Sequence, residues 1–492
     1  MGKEENIHQK ELEIALNLFK QARYLEALEK LKLLKINNND FLINWYLGHT
    51  YYRLFDYKLA IQSIKKSIEL KSKDTLNLNF LALLYRTINK HDLAILTLED
   101  ALASDVKDKN ALISLGEVHT DKGNFEKAEK YFLSVLEFEK DNYAVLYQLI
   151  KLNKKKYLTQ KLTNRIKENL LNITDYEIKI YANLILAQNE NLKNEYGKEI
   201  ELLNNSHLIY LEQKKLAAKE EWNYYSNLLP QFIKRCDEVN IKIDNRHKPI
   251  FILGMPRSGT TLVESIIGVG KNSINIGGET NAFDGIFFSK KIIKEINTNV
   301  LKTDFKFKEK DFEILSKNLI HHYEQLQLIN SDNENIFTDK SITNLFYIDI
   351  IKKIFPYAKF IYCSRNPFAN ILAIVKNFLP HIFWTHSIDK TFKYFDMIIN
   401  KIDKEIKGKN KNLMVIHLEE LSNNPIKISQ DLFKFLDFQW SEDCIHPKKR
   451  NIIKTASNVQ LREPIKKHNL DYLKNYYNYF KDVGSNYYWF KL

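Results

Sequence analysis

The sequence predicts a multidomain protein in which an all-α solenoid is followed by an α/β domain with a parallel sheet. All nine prolines lie at or after Pro230, so the first 229 residues lack the residue that most strongly breaks helices. From Ile250 onward, short apolar segments alternate with helical segments, as they do in α/β domains. A chain of 492 residues is also too long for a single core, which favours two or three domains.

The helical part contains a sequence repeat of 33 to 34 residues. Its segments, for example YLEALEKL (24–31) and HDLAILTL (91–98), align on one small residue, which is Ala27, Ala60, Ala94 or Ala128. Small residues at this period let two helices approach closely, and the pattern resembles tetratricopeptide repeats over roughly residues 8–150. The resemblance implies a concave surface for a peptide or protein partner, although the stack could equally serve only as a packing scaffold for a neighbouring domain.

The predicted turns between repeats lack the proline that is usual in this family and contain Asn, Asp and Lys instead. Their side chains can break and cap helices, and the segments are NNND (37–40), KSKDT (71–75), DVKDK (105–109) and KDN (140–142). Residues 151–246 are helical in composition without a clear repeat, so they are either a connector or degenerate repeats. We therefore predict a repeat domain over 1–150, this helical segment over 151–246, and an α/β domain over 247–492.

The segment FILGMPRSGTT (251–261) predicts an anion site. IFILG (250–254) reads as a buried strand and SGTTLVESIIGV (258–269) as a helix, so a tight glycine loop leads into a helix N-terminus. Free backbone N–H groups and the helix dipole converge there on one point. The loop is nearly the P-loop G-x-x-x-x-G-K-[ST], but Thr260 replaces its lysine and Arg257 supplies a cation instead. That composition favours a 5′-phosphate bearing one further group over a triphosphate.

Together with the segments downstream, PRSGTTL (256–262) resembles the sulfotransferases that use 3′-phosphoadenosine 5′-phosphosulfate. IGGET (276–280) is similar to the family segment that carries a catalytic glutamate, and FTDKSITN (337–344) is similar to its D-K-x-x-x-N segment. FPYAKFIYCSRNPFANILA (355–373) is similar to the segment that binds the 3′-phosphate, with Arg365 and Pro367 matching. The resemblance covers about residues 248–480 and implies a P-loop-like sulfotransferase domain fused to the repeats.

The resemblance implies a role for each matching residue. Glu279 would be the general base, and Lys340 and Arg257 would stabilise the charge that develops during transfer. The co-substrate would be 3′-phosphoadenosine 5′-phosphosulfate, and its binding residues would be Arg257, Ser258, Gly259, Thr260, Thr261, Arg365 and Lys474. In FTDKSITN, Asp339 and Asn344 also match the family pattern. We expect a hydroxyl (or amine) acceptor whose class the sequence leaves open.

The chain departs from the family pattern in two places. The serine expected eight residues after Arg365 is Ala373, and the family's G-R-W-K appears as DYLK (471–474), which keeps only Lys474. Recognition of the 3′-phosphate would then depend on Arg365 together with lysines, namely Lys466, Lys467 or Lys474. His381 and His386 lie in the segment expected on the acceptor side and are alternative bases, although surface roles are more common for such histidines.

The amino-acid composition limits which partners and which cellular compartment are expected for the protein. The formal charge of +13 indicates anionic partners, and we expect a nucleotide rather than a nucleic acid. Three scattered cysteines and the absence of an apolar leader favour a cytoplasmic protein. Since the sequence has no apolar run of 18 residues and no visible cluster of metal ligands, we expect no membrane span and no metal.

Two rival functions stay open at this stage. A P-loop kinase of unusual sequence is disfavoured by Thr260 and by the lack of a clear acidic strand end for magnesium. An interaction protein with a decayed transferase domain is suggested by Ala373 and the DYLK segment. The joint presence of Arg257, Glu279, Lys340 and Arg365 argues against decay.

Overall fold

Helices occupy the chain up to Asp237, and a parallel sheet with flanking helices begins at Lys248. We call these parts the helical half and the α/β half. The computed structural model describes residues 2–21, 23–37, 40–71, 74–237, 239, 247–270, 274–288, 308–330, 335–380, 382–446, 462, 464–465, 467 and 469–491. This order of a helical solenoid and an α/β domain is the fold class predicted from the sequence.

The helical half consists of helices that pack mainly against their neighbours in the chain. The repeats comprise α1 (Gly2–Lys20), α2 (Tyr24–Asn37), α3 (Phe41–Arg53), α4 (Tyr57–Leu70), α5 (Thr75–Thr87), α6 (His91–Ser104), α7 (Lys109–Lys122) and α8 (Phe125–Phe138). Further helices are α9 (Tyr143–Leu152), α10 (Lys154–Tyr157), α11 (Gln160–Asn169), α12 (Tyr176–Leu192), α13 (Tyr196–Gln213), α14 (Lys215–Asn223) and α15 (Leu229–Asp237), with a π-helical turn at Tyr224–Leu228. A stack of this kind buries its apolar faces through contacts between adjacent helices.

Small residues at the 34-residue period allow the paired helices to touch. A Cβ atom on Gly48 of α3 would lie 2.5 Å from Ile64 of α4, and one on Gly116 of α7 would lie 2.4 Å from the ring of Phe132 of α8. Any larger side chain there would force the two helices apart. The recurring alanines are fully buried, as Ala60 illustrates. The predicted close approach of paired helices is thus confirmed.

The polar turns cap the helices that follow them. Asp108 accepts hydrogen bonds from the N–H groups of Asn110 and Ala111, which satisfies two donors that the helix itself leaves unpaired. The predicted capping by side chains is confirmed at Asp40, Asp74, Asp108 and Asn142. These caps replace the missing proline as the signal that separates one helix from the next.

The α/β half is built on a parallel sheet of four strands. The strands β1 (Lys248–Leu253), β2 (Ile336–Asp339), β3 (Lys359–Ser364) and β4 (Leu413–His417) lie in the order β2-β1-β3-β4. Its helices are α16 (Thr260–Val269), α17 (Ala282–Phe288), α18 (Glu309–Gln325), α19 (Ile348–Ile354), α20 (Pro367–Lys376), α21 (Ile388–Lys407), α22 (Leu418–Asn423), α23 (Pro425–Leu436) and α24 (Tyr477–Gly484). Short 3-10 helices of this half lie at Ile342–Tyr347, Phe383–His386, Glu442–Ile445 and Asp471–Asn475, and another lies in the helical half at Leu170–Asn172.

Strand β1 is buried on both faces, as a central parallel strand should be. Ile250 and Ile252 pack in one apolar layer with Ile266 of α16. Phe251 and Leu253 point to the opposite face and join a core that continues into the helical half. The alternation of side chains along a strand therefore places β1 between two layers.

Buried polar contacts join the two halves. The hydroxyl of Tyr224 lies 2.6 Å from that of Tyr347, and Nδ1 of His207 lies 2.8 Å from Nδ1 of His386. The sheet is therefore docked directly on the helical half. Within the part of the chain that the structure describes, no helix is long and apolar enough to cross a membrane.

Candidate functional site

The candidate site lies where three adjacent strands end. The glycine loop follows β1, Lys340 follows β2 and Arg365 follows β3. Because the strands are parallel, their carboxyl ends meet at one edge of the sheet, with β1 in the middle. Strand β2 lies on one side of β1 and β3 lies on the other, so the chain changes direction across the sheet at β1. Parallel α/β sheets bind ligands at such a switch point.

The glycine loop has the backbone that a tight strand-to-helix turn needs. Gly259 precedes α16 with φ 98°, and Arg257 adopts φ 68°, which is uncommon for a residue with a side chain. A Cβ atom on Gly254 would lie 2.5 Å from Oγ of Ser258 and 2.7 Å from the carbonyl oxygen of Cys363. The loop is consequently folded onto the end of β3, and Thr260 and Thr261 open the helix beside it.

Two arginines meet at this loop. Nη1 of Arg365 donates a hydrogen bond of 3.0 Å to the carbonyl oxygen of Arg257. Burial and the neighbouring Arg365 lower the pKa of Arg257 to about 10. Among the described residues, Nε of Arg365 and Oγ of Ser258 are buried without a hydrogen-bond partner. Two adjacent arginines and a buried serine hydroxyl just before a helix N-terminus have the composition of an anion site.

Lys340 and Glu279 form an ion pair at the end of β2. Nζ of Lys340 donates a hydrogen bond of 2.8 Å to Oε1 of Glu279. Burial disfavours the charged form of Lys340, but the carboxylates of Glu279, Glu264 and Asp339 outweigh it and raise the pKa of the amine. The Lys340 side chain is 2% exposed, whereas that of Glu279 is 44% exposed. A fixed cation is thus paired with a carboxylate that a ligand can reach.

Glu264 of α16 fixes the segment that carries Glu279. Its Oε1 accepts hydrogen bonds from the N–H of Gly278 at 3.0 Å and from the hydroxyl of Thr338 at 2.7 Å. Burial raises the pKa of Glu264, and the nearby Lys340 opposes this shift. Sequence reasoning missed this residue, although one acidic side chain within the apolar helix TTLVESIIGV was a usable signal.

Asp339 is the centre of a buried hydrogen-bond network. Its two carboxylate oxygens accept from the hydroxyls of Thr280, Tyr323 and Ser341, from the N–H of Ser341 and from the amide of Asn344, at 2.6–3.0 Å. Five donors around one carboxylate hold the end of β2 to the segment after Glu279. Asp339 and Asn344 therefore build the frame of the site rather than its exposed surface.

A cavity of about 1100 Å³ opens on this edge of the sheet. Thr261, Glu264, Glu279 and Lys340 line one side of it, and residues of the helical half line the other. The residues that the structure describes include no group of three or more His, Cys, Asp or Glu side chains that could hold a metal ion.

Residues 249–442 match the model of the sulfotransferase family, and residues 45–74 and 111–142 match models of the tetratricopeptide repeat. The chain joins tetratricopeptide repeats to a sulfotransferase domain. A protein of Aquifex aeolicus (strain VF5), named only as uncharacterized, is 22% identical over 388 residues, which are 76% of this chain and 49% of that protein. Protein-tyrosine sulfotransferase 1 of Danio rerio is 25% identical over 227 residues, which are 44% of this chain and 61% of that protein. The chain thus spans less than two thirds of the length of either relative.

Two solved structures are each similar to part of the chain. The sulfotransferase domain of the Synechococcus PCC 7002 olefin synthase has a TM-score of 0.31 and 16% identity, covering 45% of this chain and 86% of its own. MamA has a TM-score of 0.26 and 23% identity, covering 27% of this chain and 78% of its own.

Several other described residues singled out in the sequence are not among those that line the cavity. Lys474 is an exposed residue whose Nζ lies 3.7 Å from Asp471, and Ala373 is half-buried on α20. His386 is buried at the interface with the helical half, where burial and His207 lower its pKa. His381 and Lys466 fall outside the described residues, and Lys467 is exposed.

Proposed function

We propose that the protein transfers a sulfuryl group from 3′-phosphoadenosine 5′-phosphosulfate to a hydroxyl (or amine) group of an acceptor. The observation that carries this proposal is the meeting of Arg257 and Arg365 before helix α16, whose residues Thr261 and Glu264 line the same cavity as the Lys340–Glu279 pair. The two arginines can bind phosphate and sulfate groups through charge-assisted hydrogen bonds. The Lys340–Glu279 pair supplies a general base beside a cation.

The residues present fit this donor. The N–H groups of Gly259, Thr260 and Thr261, the hydroxyl of Ser258 and the guanidinium of Arg257 would hold the 5′-phosphosulfate. Arg365 retains N–H groups beyond the one bonded to Arg257 and would bind the 3′-phosphate. Both anions would offset the repulsion between the two arginines.

In the proposed reaction Glu279 takes the proton of the acceptor hydroxyl, whose oxygen then attacks the sulfur atom. The bond between sulfur and the bridging oxygen breaks, and that oxygen leaves with the 5′-phosphate of the nucleotide. Arg257 and Lys340 stabilise the charge that develops on the leaving group and on the sulfuryl oxygens. Oε1 of Glu279 binds Lys340, so Oε2 is the oxygen that would meet the acceptor.

The donor assignment predicts a clear order of nucleotide affinities. The full chain should bind 3′-phosphoadenosine 5′-phosphate with micromolar or better affinity, because that product has an anion for each arginine. ATP with magnesium should bind at least tenfold more weakly, a difference of about 1.4 kcal/mol. Isothermal calorimetry measures both constants. Tighter binding of ATP would favour a kinase-like enzyme and would contradict the proposal.

Replacing Arg365 by alanine (Arg365→Ala) should discriminate between nucleotides with and without the 3′-phosphate. Losing a charge-assisted contact should weaken the binding of 3′-phosphoadenosine 5′-phosphate by roughly 1.5–3 kcal/mol more than the binding of adenosine 5′-phosphate. The matched control Lys427→Ala removes an exposed cation from α23 and should change neither affinity. Equal losses for both nucleotides would mean that Arg365 serves only to hold the Arg257 carbonyl.

A further inference from the structure

The second wall of the cavity is formed by the repeats. Three successive turns between paired helices contribute to it, and their lining residues include Tyr52, Arg53, Phe55, Arg86, Asn89 and Lys122. Across the cavity lie Glu279 and Lys340 of the sulfotransferase domain. The turns between the paired helices therefore face the same cavity as the proposed base, Glu279.

The first of these turns is anchored to the sulfotransferase domain. Phe55 adopts φ 61°, and its ring lies 5.7 Å from that of His322 of α18. A Cβ atom on Gly285 of α17 would lie 2.7 Å from the Phe55 ring, so only glycine leaves room for it. The N–H of Lys58 donates a hydrogen bond of 2.8 Å to Oε1 of Gln325. This part of the cavity wall is consequently held by specific contacts between the helical half and the α/β half.

This contact continues to the proposed base. Nε2 of His322 lies 3.2 Å from the carbonyl oxygen of Thr280, the residue that follows Glu279. Burial lowers the pKa of His322 to about 4, so a neutral imidazole donates this hydrogen bond. The turn that carries Arg53 and Phe55 is thereby fixed relative to Glu279.

Cations outnumber carboxylates among the residues that line the cavity, but carboxylates outside the lining pair with two of these cations. The lining cations are Arg53, Arg86, Lys122 and Lys340, and the lining carboxylates are Glu264 and Glu279. Glu117 and Asp121 pair with Arg86, Asp92 pairs with Lys122, and Glu279 pairs with Lys340. Arg53 is exposed and makes no hydrogen bond or ion pair within the described part of the chain. The guanidinium of Arg53 can therefore donate to an anionic group of a ligand in the cavity.

We propose that the turn at residues 53–55 forms an acceptor subsite, in which Arg53 binds a negatively charged group of the acceptor. This inference rests on the proposed function, because the acceptor hydroxyl must reach Glu279. Arg53 and Glu279 line the same cavity of about 1100 Å³, so a single acceptor can contact both residues. The acceptor therefore extends from the base to the repeats and carries its negative charge at the end away from Glu279.

A graded series of substitutions at Arg53 tests the subsite. The full-length variants Arg53→Lys, Arg53→Gln and Arg53→Glu are compared with Arg165→Gln, which removes a half-buried arginine, paired with Asp141, outside the cavity. Initial rates of transfer from donor labelled with radioactive sulfate are measured over a dilution series of cell extract. Calorimetry with 3′-phosphoadenosine 5′-phosphate checks donor binding, and circular dichroism checks the fold.

The half-saturating amount of extract should rise with each loss of positive charge, in the order lysine, glutamine, glutamate. For Arg53→Gln the rise should be about tenfold or more, the usual effect of losing a charge-assisted contact. The maximal rate and the donor affinity should stay as in the wild type, and Arg165→Gln should match the wild type throughout.

Two failures can be told apart. If the wild type labels nothing, the proposed function and the subsite fall together. If the wild type labels the extract and the Arg53 variants do so with the same half-saturating amount, the subsite alone is overturned. A loss of donor affinity in Arg53→Gln would also overturn it, because Arg53 would then act on the nucleotide.

Discussion

Glu279→Gln is expected to lower turnover by roughly 10²–10⁴-fold, the usual contribution of a positioned general base. Glutamine keeps the shape of Glu279 and can still accept the hydrogen bond from Lys340, but it cannot take a proton from the acceptor. Glu264 and Asp339 also favour the charged form of Lys340, so the buried amine should stay charged and the fold intact. Affinity for 3′-phosphoadenosine 5′-phosphate should stay close to that of the wild type.

The measurement is transfer of labelled sulfate from the donor to a cell extract, with Glu313→Gln on the exposed face of α18 as the matched control. Labelling by Glu279→Gln at the wild-type rate would place the base elsewhere. His381 would then be the next residue to test, because His386 is buried against His207. A wild type that binds the nucleotide and labels nothing would support an interaction protein with a decayed enzyme domain.

Asp339→Ala should lower the free energy of unfolding of the α/β half by roughly 3–5 kcal/mol. The substitution removes the acceptor of five hydrogen bonds at once. Donors on Thr280, Tyr323, Ser341 and Asn344 would then stay buried without a partner. Leaving such groups unsatisfied costs more than the net value of the bonds themselves.

Urea unfolding followed by near-ultraviolet circular dichroism measures this loss, with Asp482→Ala on the exposed face of α24 as the control. Because a chain of several domains need not unfold in one step, the transition is assigned by repeating the experiment with 3′-phosphoadenosine 5′-phosphate, which should stabilise the α/β half. A loss below about 1 kcal/mol, within the range of an ordinary surface substitution, would contradict the view of Asp339 as the centre of the frame.

Features that depend on neighbours in the chain could be predicted from the sequence. The period of Ala27, Ala60, Ala94 and Ala128 predicted the packed helix pairs because each repeat places a small residue at the same helix contact. The strand and helix around the glycine loop were predicted within two residues of β1 and α16. The domain boundaries and the roles of the site residues stay predictions.

Features that depend on docking could not be predicted in this way. The order of motifs places Glu279 and Lys340 in one domain, but it says nothing of their 2.8 Å contact or of Glu264 behind them. Nor does any periodicity relate the turn at Phe55 to Gly285, more than two hundred residues later. Such contacts follow from the way that two packed units meet.

The cavity with one wall from each half has a thermodynamic consequence. A ligand that touches both walls binds only when the halves are docked, so its affinity and the docking equilibrium are linked. The coupling is reciprocal: the free energy by which docking strengthens ligand binding equals the free energy by which the bound ligand stabilises the docked arrangement. Every change that loosens the packing of Phe55 on Gly285 and His322 would therefore appear as a weaker affinity for that ligand, even though it touches neither the nucleotide nor the reacting atoms.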